Sequence, residues 1–307
     1  MADYPPVIVL VDIDGTIIGD IDAQLTEYQH IVQSHLNATV KQVGGAMRVK
    51  MFKDRLVTQL INGLMRPGFS QFCAQCHMLR IPVMIYTAAD HDWAHFLVPR
   101  IQQAVQMEMA RDLEDPPKHF RFSRLFTRNN CEPDGDMMFK KSLERVKKDI
   151  YATLKKNYTM RAGMDGVIKR TILIDNTDGI LVERDHLVVV PTYKFAYIYD
   201  VTENMDHTDK ALMQKARAEL YAKSSFLGGR NASTTLPFRA WLYTAMADNI
   251  RSHSEYDNMR RTDPLWHTLR RRIVEYMNDD TNKTSSGPRL AEHLLKGGRP
   301  TSSRKYV

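Results

Sequence analysis

The stretch Val7-Ile8-Val9-Leu10-Val11-Asp12-Ile13-Asp14-Gly15-Thr16 decides the fold. Its first five residues are apolar and mostly β-branched, and the run ends abruptly in turn-forming residues. That is the pattern of a short strand buried on both faces of a parallel sheet. Two later segments repeat the plan: Ile81–Tyr86 runs into Thr87-Ala88-Ala89-Asp90, and Thr171–Ile174 runs into Asp175-Asn176-Thr177-Asp178-Gly179. A fourth apolar run, Leu187–Val190, follows closely. Helix-period segments at 24–36, 46–65, 69–79, 92–109 and 139–155 fall around and between these runs. The alternation predicts an α/β fold with a Rossmann-like parallel sheet flanked by helices, and such sheets bind ligands at the carboxyl ends of their strands. All three of those ends are polar here.

Composition narrows the class. The 307 residues are 43% hydrophobic and 26% charged, which excludes a fully disordered chain, collagen and a coiled coil. No apolar run approaches the roughly 20 residues of a membrane-spanning helix, and Met1–Pro6 lacks the basic and apolar regions of a signal peptide. The expectation is a soluble, intracellular protein of nucleus or cytoplasm, neither secreted nor membrane-bound. Three cysteines, an odd number, fit free thiols in a reducing compartment.

The net charge is +7, and from Val201 onward 18 basic residues face 12 acidic ones, so nearly all of the excess lies in the last third. Residues 1–200 form the expected catalytic domain, with a helical insert at about 19–63 after the first strand. Helix-period stretches at 210–223, 238–252 and 266–277 predict a helical C-terminal extension over 201–279. The Thr-, Ser-, Gly- and Pro-rich segment 280–307 is expected to be a basic, disordered tail. Arg260-Arg261, Trp266 and Arg270-Arg271-Arg272 offer a contact surface for nucleic acid or acidic protein, or else a solvated helix face.

Asp12 and Asp14 carry the strongest chemical signal. Two carboxylates one residue apart on the turn leaving a buried strand can divide labour, one attacking phosphorus while the other passes a proton to the leaving oxygen. Phosphoryl transfer also needs its charge neutralised, which a Mg²⁺ beside such carboxylates supplies. An Asx-type turn would use the same residue types.

Asp12-Ile13-Asp14-Gly15-Thr16 resembles motif I of the haloacid dehalogenase-like (HAD) phosphohydrolases, and the other motifs follow in order. Thr87 after Met84-Ile85-Tyr86 is similar to motif II. Lys140 and Lys141 are both candidates for the lysine of motif III, and Asp175-Asn176 matches motif IV. Within that superfamily the chain looks most like the small C-terminal-domain phosphatases, the NLI-interacting-factor-like family that dephosphorylates serine in the tail of RNA polymerase II. Arg66-Pro67, Thr87-Ala88 with Trp93-Ala94, Arg124-Leu125-Phe126 with Arg128 and Cys131, and Lys141-Ser142-Leu143 carry that likeness, which spans roughly Val7 to Pro191. The chain differs in having Asp-Gly-Thr where that family has Asp-Glu-Thr, and in its helical insert, the place where metabolite-specific HAD members carry a cap.

The resemblance implies a phosphoric monoester hydrolase. Asp12 would form an aspartyl-phosphate, Asp14 would serve as acid and then base, and Thr87 with Lys141 or Lys140 would bind the phosphoryl oxygens. Mg²⁺ would be held by Asp12, the Asp14 carbonyl and Asp175, with Thr16, Asn176 and Arg128 contacting substrate or metal surroundings. A phosphoprotein or phosphopeptide bearing phosphoserine or phosphothreonine is the expected substrate. Should the cleft prove open, Arg128 is expected to favour flanking acidic groups. A small phosphate ester under a helical cap is the alternative, and a weakly catalytic binding protein the third reading.

Cys73-Ala74-Gln75-Cys76-His77 fits a haem-attachment spacing, but it falls mid-helix in a chain without an export signal, and a zinc site would need two more ligands. His91, Asp92 and His95 share a helix face in metal-like spacing, yet they read more simply as the first turn of a helix.

Overall fold

The computed structural model describes residues 2–3, 7–19, 25, 28–38, 44–135, 138–159, 163–193, 263–279 and 286–295. Among them the strands are β1 Ala2–Asp3, β2 Ile8–Val11, β3 Val83–Tyr86, β4 Leu125–Phe126, β5 Glu132–Asp134, β6 Met138–Lys140, β7 Tyr158–Thr159, β8 Thr171–Asp175 and β9 Leu187–Val189. The helices are α1 Ser34–Asn37, α2 Gly45–Gln59, α3 Phe69–Met78, α4 His91–Asp112, α5 Leu143–Leu154, α6 Met164–Ile168, α7 Leu265–Asn278 and α8 Gly287–Leu295. Wider π-helical turns, Gln29–Gln33 and Leu60–Leu64, precede α1 and follow α2. The expected helices at 210–223 and 238–252 lie outside the described residues.

Five strands form one parallel sheet in the order β4-β3-β2-β8-β9. Strand β2, every side chain of which is buried, runs through its centre. Because side chains alternate across a strand, the sheet has two apolar faces. Val9, Val11, Ile85, Ile172 and Ile174 pack with α2, α3, α4, α7 and α8. Ile8, Leu10, Met84, Tyr86 and Leu173 pack with α5 and α6. The result is three layers, helix on sheet on helix.

Two expectations need correction. The helix read over 139–155 starts only at Leu143, because Met138–Lys140 is spent as the second strand of the β5–β6 hairpin and Ser142 is extended (φ −141°, ψ 127°). The amphipathic pattern of α5 is real, but pairing with β5 claims its supposed first turn. The tail read as disordered from 280 contains α8, whose Leu290, Ala291 and Leu294 are buried against β8 and β9. Composition averaged over 280–307 concealed a three-residue apolar stripe at helical spacing. The Gly287 amide donates to the Lys169 carbonyl, and a side chain at Gly287 would collide with the Thr171 carbonyl and the His186 ring.

Helix α7 joins the same core. Its Trp266 is fully buried, with ring centroids 4.9 Å from both Phe69 and Phe72 of α3. Arg66 fastens its start: the buried guanidinium donates through Nε to Asp263 at 2.8 Å and through Nη1 to the Pro191 carbonyl at 2.6 Å. The arginine read as part of a helix-entry motif is therefore a tie between distant segments. Among the described residues no helix is long and apolar enough to cross a membrane.

Candidate active site

The register of the central strands brings the sequence candidates to one end of the sheet. Val11 pairs with Ile174, so Asp12 stands next to Asp175, and the Asp12 amide donates to the Ile174 carbonyl at 3.0 Å. Thr87 follows β3 on the other side of β2, with its amide on the Phe126 carbonyl at 3.0 Å and its hydroxyl accepting from the Ala89 amide at 3.0 Å. Thr87 is fully buried.

Lys141 arrives from a different part of the chain. Its backbone is pinned by Lys141 N to Ile180 O at 2.8 Å and Val182 N to Lys141 O at 3.0 Å, so the loop after β8 carries it. Its Nζ donates to Asp12 Oδ1 at 2.5 Å and to Asp175 Oδ2 at 2.6 Å, and all three groups are buried. Lys140, the other candidate, pairs with Asp134 at 2.8 Å on the half-exposed hairpin. The alternation of the β5–β6 strand sends the two lysines to opposite sides, which distinguishes neighbours that sequence spacing could not.

The electrostatics of this cluster are unbalanced. Burial pushes the Asp12 carboxyl up to about 8, Lys141 opposes that rise, and the neighbouring Asp175 and Asp14 add to it. Burial alone would lower the Lys141 ammonium, but Asp12 and Asp175 outweigh it and hold it above its ordinary value. An isolated ion pair would instead hold its carboxylate low. Asp12 goes the other way because its burial outweighs an ammonium that it shares with Asp175, with Asp14 a further carboxylate nearby.

That donor set fits a divalent cation, which would balance the surplus charge. Two side-chain carboxylates, Asp12 and Asp175, and the Asp14 main-chain carbonyl are oxygen donors of the kind Mg²⁺ takes. No three His, Cys, Asp or Glu side chains among the described residues are grouped to hold a metal by themselves. The Asp175 carboxylate is further oriented by the Thr177 amide at 2.8 Å.

Gly15 shapes the turn that carries Asp14. Its φ is +74°, and a side chain there would meet Asn176 Nδ2 at 2.7 Å. The close approach lets the Thr16 hydroxyl donate to Asn176 Oδ1 at 3.0 Å, while Asn176 Nδ2 donates to the Thr192 hydroxyl at 3.1 Å. The glycine at position 15 thus has a local cause. Arg128 lies at the rim, its Nε on the Ala88 carbonyl at 2.8 Å, its Nη1 3.5 Å from Asp90 and its plane 5.1 Å from the Phe139 ring centroid.

Sequence reasoning missed two supporting residues. Tyr86 lies under Lys141, ring centroid 5.7 Å from Nζ, and its hydroxyl donates to the Asn130 carbonyl at 2.8 Å and accepts from the Ser142 amide at 3.0 Å. The Glu183 carboxylate accepts from the Leu143 and Glu144 amides at 2.9 and 3.2 Å, capping α5 from a distant loop. Tyr86 was readable as a polar tip on a buried strand; Glu183 had no local signal. Cys73 and Cys76 are buried in the core, where burial pushes both thiols up. The His91 ring lies 4.2 Å from that of His95, tilted by 31°, and touches Asp92 at 3.2 Å.

No family model matches the sequence, and no curated protein matches it either. Solved structures do. A putative β-phosphoglucomutase from Thermotoga maritima matches at 12% identity over 64% of this chain and 90% of that chain, with a TM-score of 0.32. The fission yeast RNA polymerase II CTD phosphatase Fcp1 matches at 13% identity over 84% of this chain and 66% of that chain, TM-score 0.31. CbbY from Rhodobacter sphaeroides, solved with phosphate, matches at 14% identity over 61% and 86%, TM-score 0.29. Likeness at this level decides neither fold nor activity, and the functional assignment rests on the geometry of the chain itself.

Proposed function

We propose that this chain is a Mg²⁺-dependent HAD-type phosphatase that hydrolyses phosphate monoesters through an aspartyl-phosphate on Asp12. The observation that carries the reading is the Lys141 ammonium held at 2.5 and 2.6 Å between Asp12 and Asp175, at the carboxyl ends of adjacent strands. A folded core does not need three buried charges in that place, since burying them costs more than apolar packing would. That cost also disfavours a protein that keeps the fold only to bind.

Asp12 Oδ attacks phosphorus as the ester P–O bond breaks, and Asp14 gives its proton to the leaving alkoxide. Asp14 then takes a proton from water, which attacks the phosphoryl group and restores the Asp12 carboxylate. Lys141 Nζ and the Thr87 hydroxyl donate to the phosphoryl oxygens as charge moves onto them. A bound Mg²⁺, held by Asp12, Asp175 and the Asp14 carbonyl, supplies further charge neutralisation. Thr16 and Asn176 fix the turn from which Asp14 works.

Phosphoserine or phosphothreonine in protein is the first substrate reading, supported by the motif surroundings that resemble the polymerase-tail phosphatases. The second, a small phosphate ester, is favoured by one observation: residues of the insert, Tyr28, Gln29 and Gln33, wall a cavity of about 400 Å³ beside Asp14. Contact with nucleic acid or acidic protein through the C-terminal arginines is a subsidiary proposal. Arg271 faces Glu275, and Arg272 donates to the Leu294 carbonyl, so the basic run is partly used within the fold.

The test is a phosphatase screen of phosphopeptides against phosphometabolites with and without Mg²⁺, together with mass spectrometry of acid-quenched enzyme. Turnover that needs Mg²⁺ and a phosphoryl adduct on Asp12 support the reading. Absence of hydrolysis of any ester, aryl phosphates included, defeats it. Mg²⁺ should also raise the melting temperature, and Asp175→Asn should abolish that shift.

A further inference from the structure

We propose that the cleft beside Asp14 selects phosphate monoesters that carry a cationic group near the phosphate. This deepens the phosphatase reading and rests on it. The cleft, about 400 Å³, has Asp14 at one end, Tyr28 on the insert side, Asp90, Asp92 and Trp93 on the α4 side, and Arg128 at the rim. Its size suits a small leaving group or one to two residues of a peptide.

Charge sets the sign of the preference. Two carboxylates, Asp90 and Asp92, line the cleft beside the acid Asp14 against one guanidinium, and that guanidinium is already engaged by Asp90, by the Ala88 carbonyl and by the Phe139 ring. The expectation that Arg128 welcomes flanking acidic groups therefore meets an opposing field. The Tyr28 hydroxyl reports the same field: burial raises it first, and Asp92 and then Asp90 raise it further.

Tyr28 and Trp93, which meet at 5.1 Å with their planes tilted by 56°, make that side of the cleft aromatic. A leaving group with an ammonium near the ester suits this charge. Such chemistry has two sources, a phosphorylated amino alcohol or a phosphoserine followed by Lys or Arg in a peptide.

The experiment measures kcat/KM with Mg²⁺ for pairs that differ in charge: phosphoethanolamine and phosphocholine against propyl phosphate, and a phosphoserine peptide with Lys next to the phosphoserine against its Glu counterpart. An aryl phosphate serves as reference. We expect about a tenfold preference for the cationic member, shrinking as salt is added and shrinking in the variant carrying Asp90→Asn and Asp92→Asn. Preference confined to the peptide pair assigns the substrate to protein, and preference confined to the small esters assigns it to a metabolite. Equal turnover or an anionic preference, with the aryl phosphate hydrolysed, overturns this inference and leaves the phosphatase reading standing. Failure to hydrolyse the aryl phosphate overturns both. If the double variant does not fold, the wild-type ratio and its salt dependence still decide.

Discussion

The two ends of the central sheet are built on opposite principles. At the carboxyl end, Asp12, Asp175 and Lys141 are buried together, and burial, with the neighbouring Asp175 and Asp14 adding to it, drives Asp12 toward its neutral form against the pull of Lys141. At the other end, α8 closes over the start of β8, its Gly287 amide donating to the Lys169 carbonyl, while the His186 ring beside it meets the Thr171 carbonyl through Nδ1 at 2.7 Å. One end spends stability on charge that packing does not require, and the far side of the fold supplies apolar burial that offsets it. An enzyme needs both, because a preorganised charged site is an unfavourable local structure held in place by the rest.

The largest effect should come from the charged end. Asp12→Asn keeps the shape but removes the proposed nucleophile, so turnover should fall by about three orders of magnitude or more while the circular dichroism spectrum stays that of the parent. Substantial residual hydrolysis of an aryl phosphate would take Asp12 out of that role. Asp14→Asn should lose most activity on alkyl esters and less on aryl ones, since a good leaving group needs little protonation. Equal losses on the two ester types would count against its acid role.

The next effect belongs to the apolar side. Trp266→Ala opens a cavity between Phe69 and Phe72 and should cost about 3–5 kcal/mol of stability, read from the denaturant midpoint. If the loss is within the range of a surface substitution, α7 is an appendage and the comparison between the two sides collapses. Arg66→Ala should weaken the same junction by freeing Asp263.

Lys141→Ala returns to the site. It should lower kcat/KM at least a hundredfold, about 3 kcal/mol in transition-state stabilisation, and should destabilise the metal-free protein by leaving Asp12 and Asp175 without their shared cation. Lys140→Ala, on the exposed hairpin, should be mild on both counts. The reverse ranking would reassign the phosphoryl-binding lysine.

These contrasts follow how far the sequence was readable. Val7–Val11, Ile81–Tyr86 and Thr171–Ile174 announced buried strands because a strand inside a parallel sheet must be apolar on both faces, and the turn residues after them marked the end of the sheet at which the candidate residues meet. The two-residue strand Leu125–Phe126 was too short to carry a period. The β5–β6 hairpin hid inside a helix-like pattern, and without it Lys140 and Lys141 could not be told apart. Helix α8 was missed because its apolar stripe is brief and its neighbours are polar. The walls of the cleft, Tyr28 with Asp90, Asp92 and Trp93, come from segments more than sixty residues apart, and no local pattern joins them.

A smaller, graded effect separates the ends by pH. The Asp12 carboxyl is raised from 3.8 in the unfolded chain to about 8 in the fold, so between those values the folded state holds the extra proton. Stability of the metal-free protein should then fall as pH rises from about 4 to about 8, by at most about tenfold in the unfolding equilibrium per pH unit. Lys141, held above its ordinary value, loses its contribution only at higher pH and does not enter this window. Melting temperatures across the range should show the decline in the parent, less of it with Mg²⁺ added, and none of this component in Asp12→Asn. A parent profile identical to that of Asp12→Asn would mean that the buried carboxyl is not strained.

The smallest effect tests how the turn after β2 is tied to the loop after β8. Gly15 has φ +74°, which costs a residue with a side chain about 1 kcal/mol, and the new methyl would also press on Asn176 Nδ2, 2.7 Å from where it must sit. Asn176 is not free to swing aside, because it accepts from Thr16 and donates to Thr192, and the Tyr193 amide holds the Gly15 carbonyl at 2.7 Å. Gly15→Ala should therefore destabilise by about 1–2 kcal/mol and slow turnover several-fold by shifting Asp14. Combining it with Asn176→Ala separates the two causes. If the cost of Gly15→Ala shrinks when Asn176 is truncated, the contact dominates and the two loops act as one unit. If the cost is unchanged, backbone strain alone accounts for it, and the glycine is explained by the turn rather than by its neighbour.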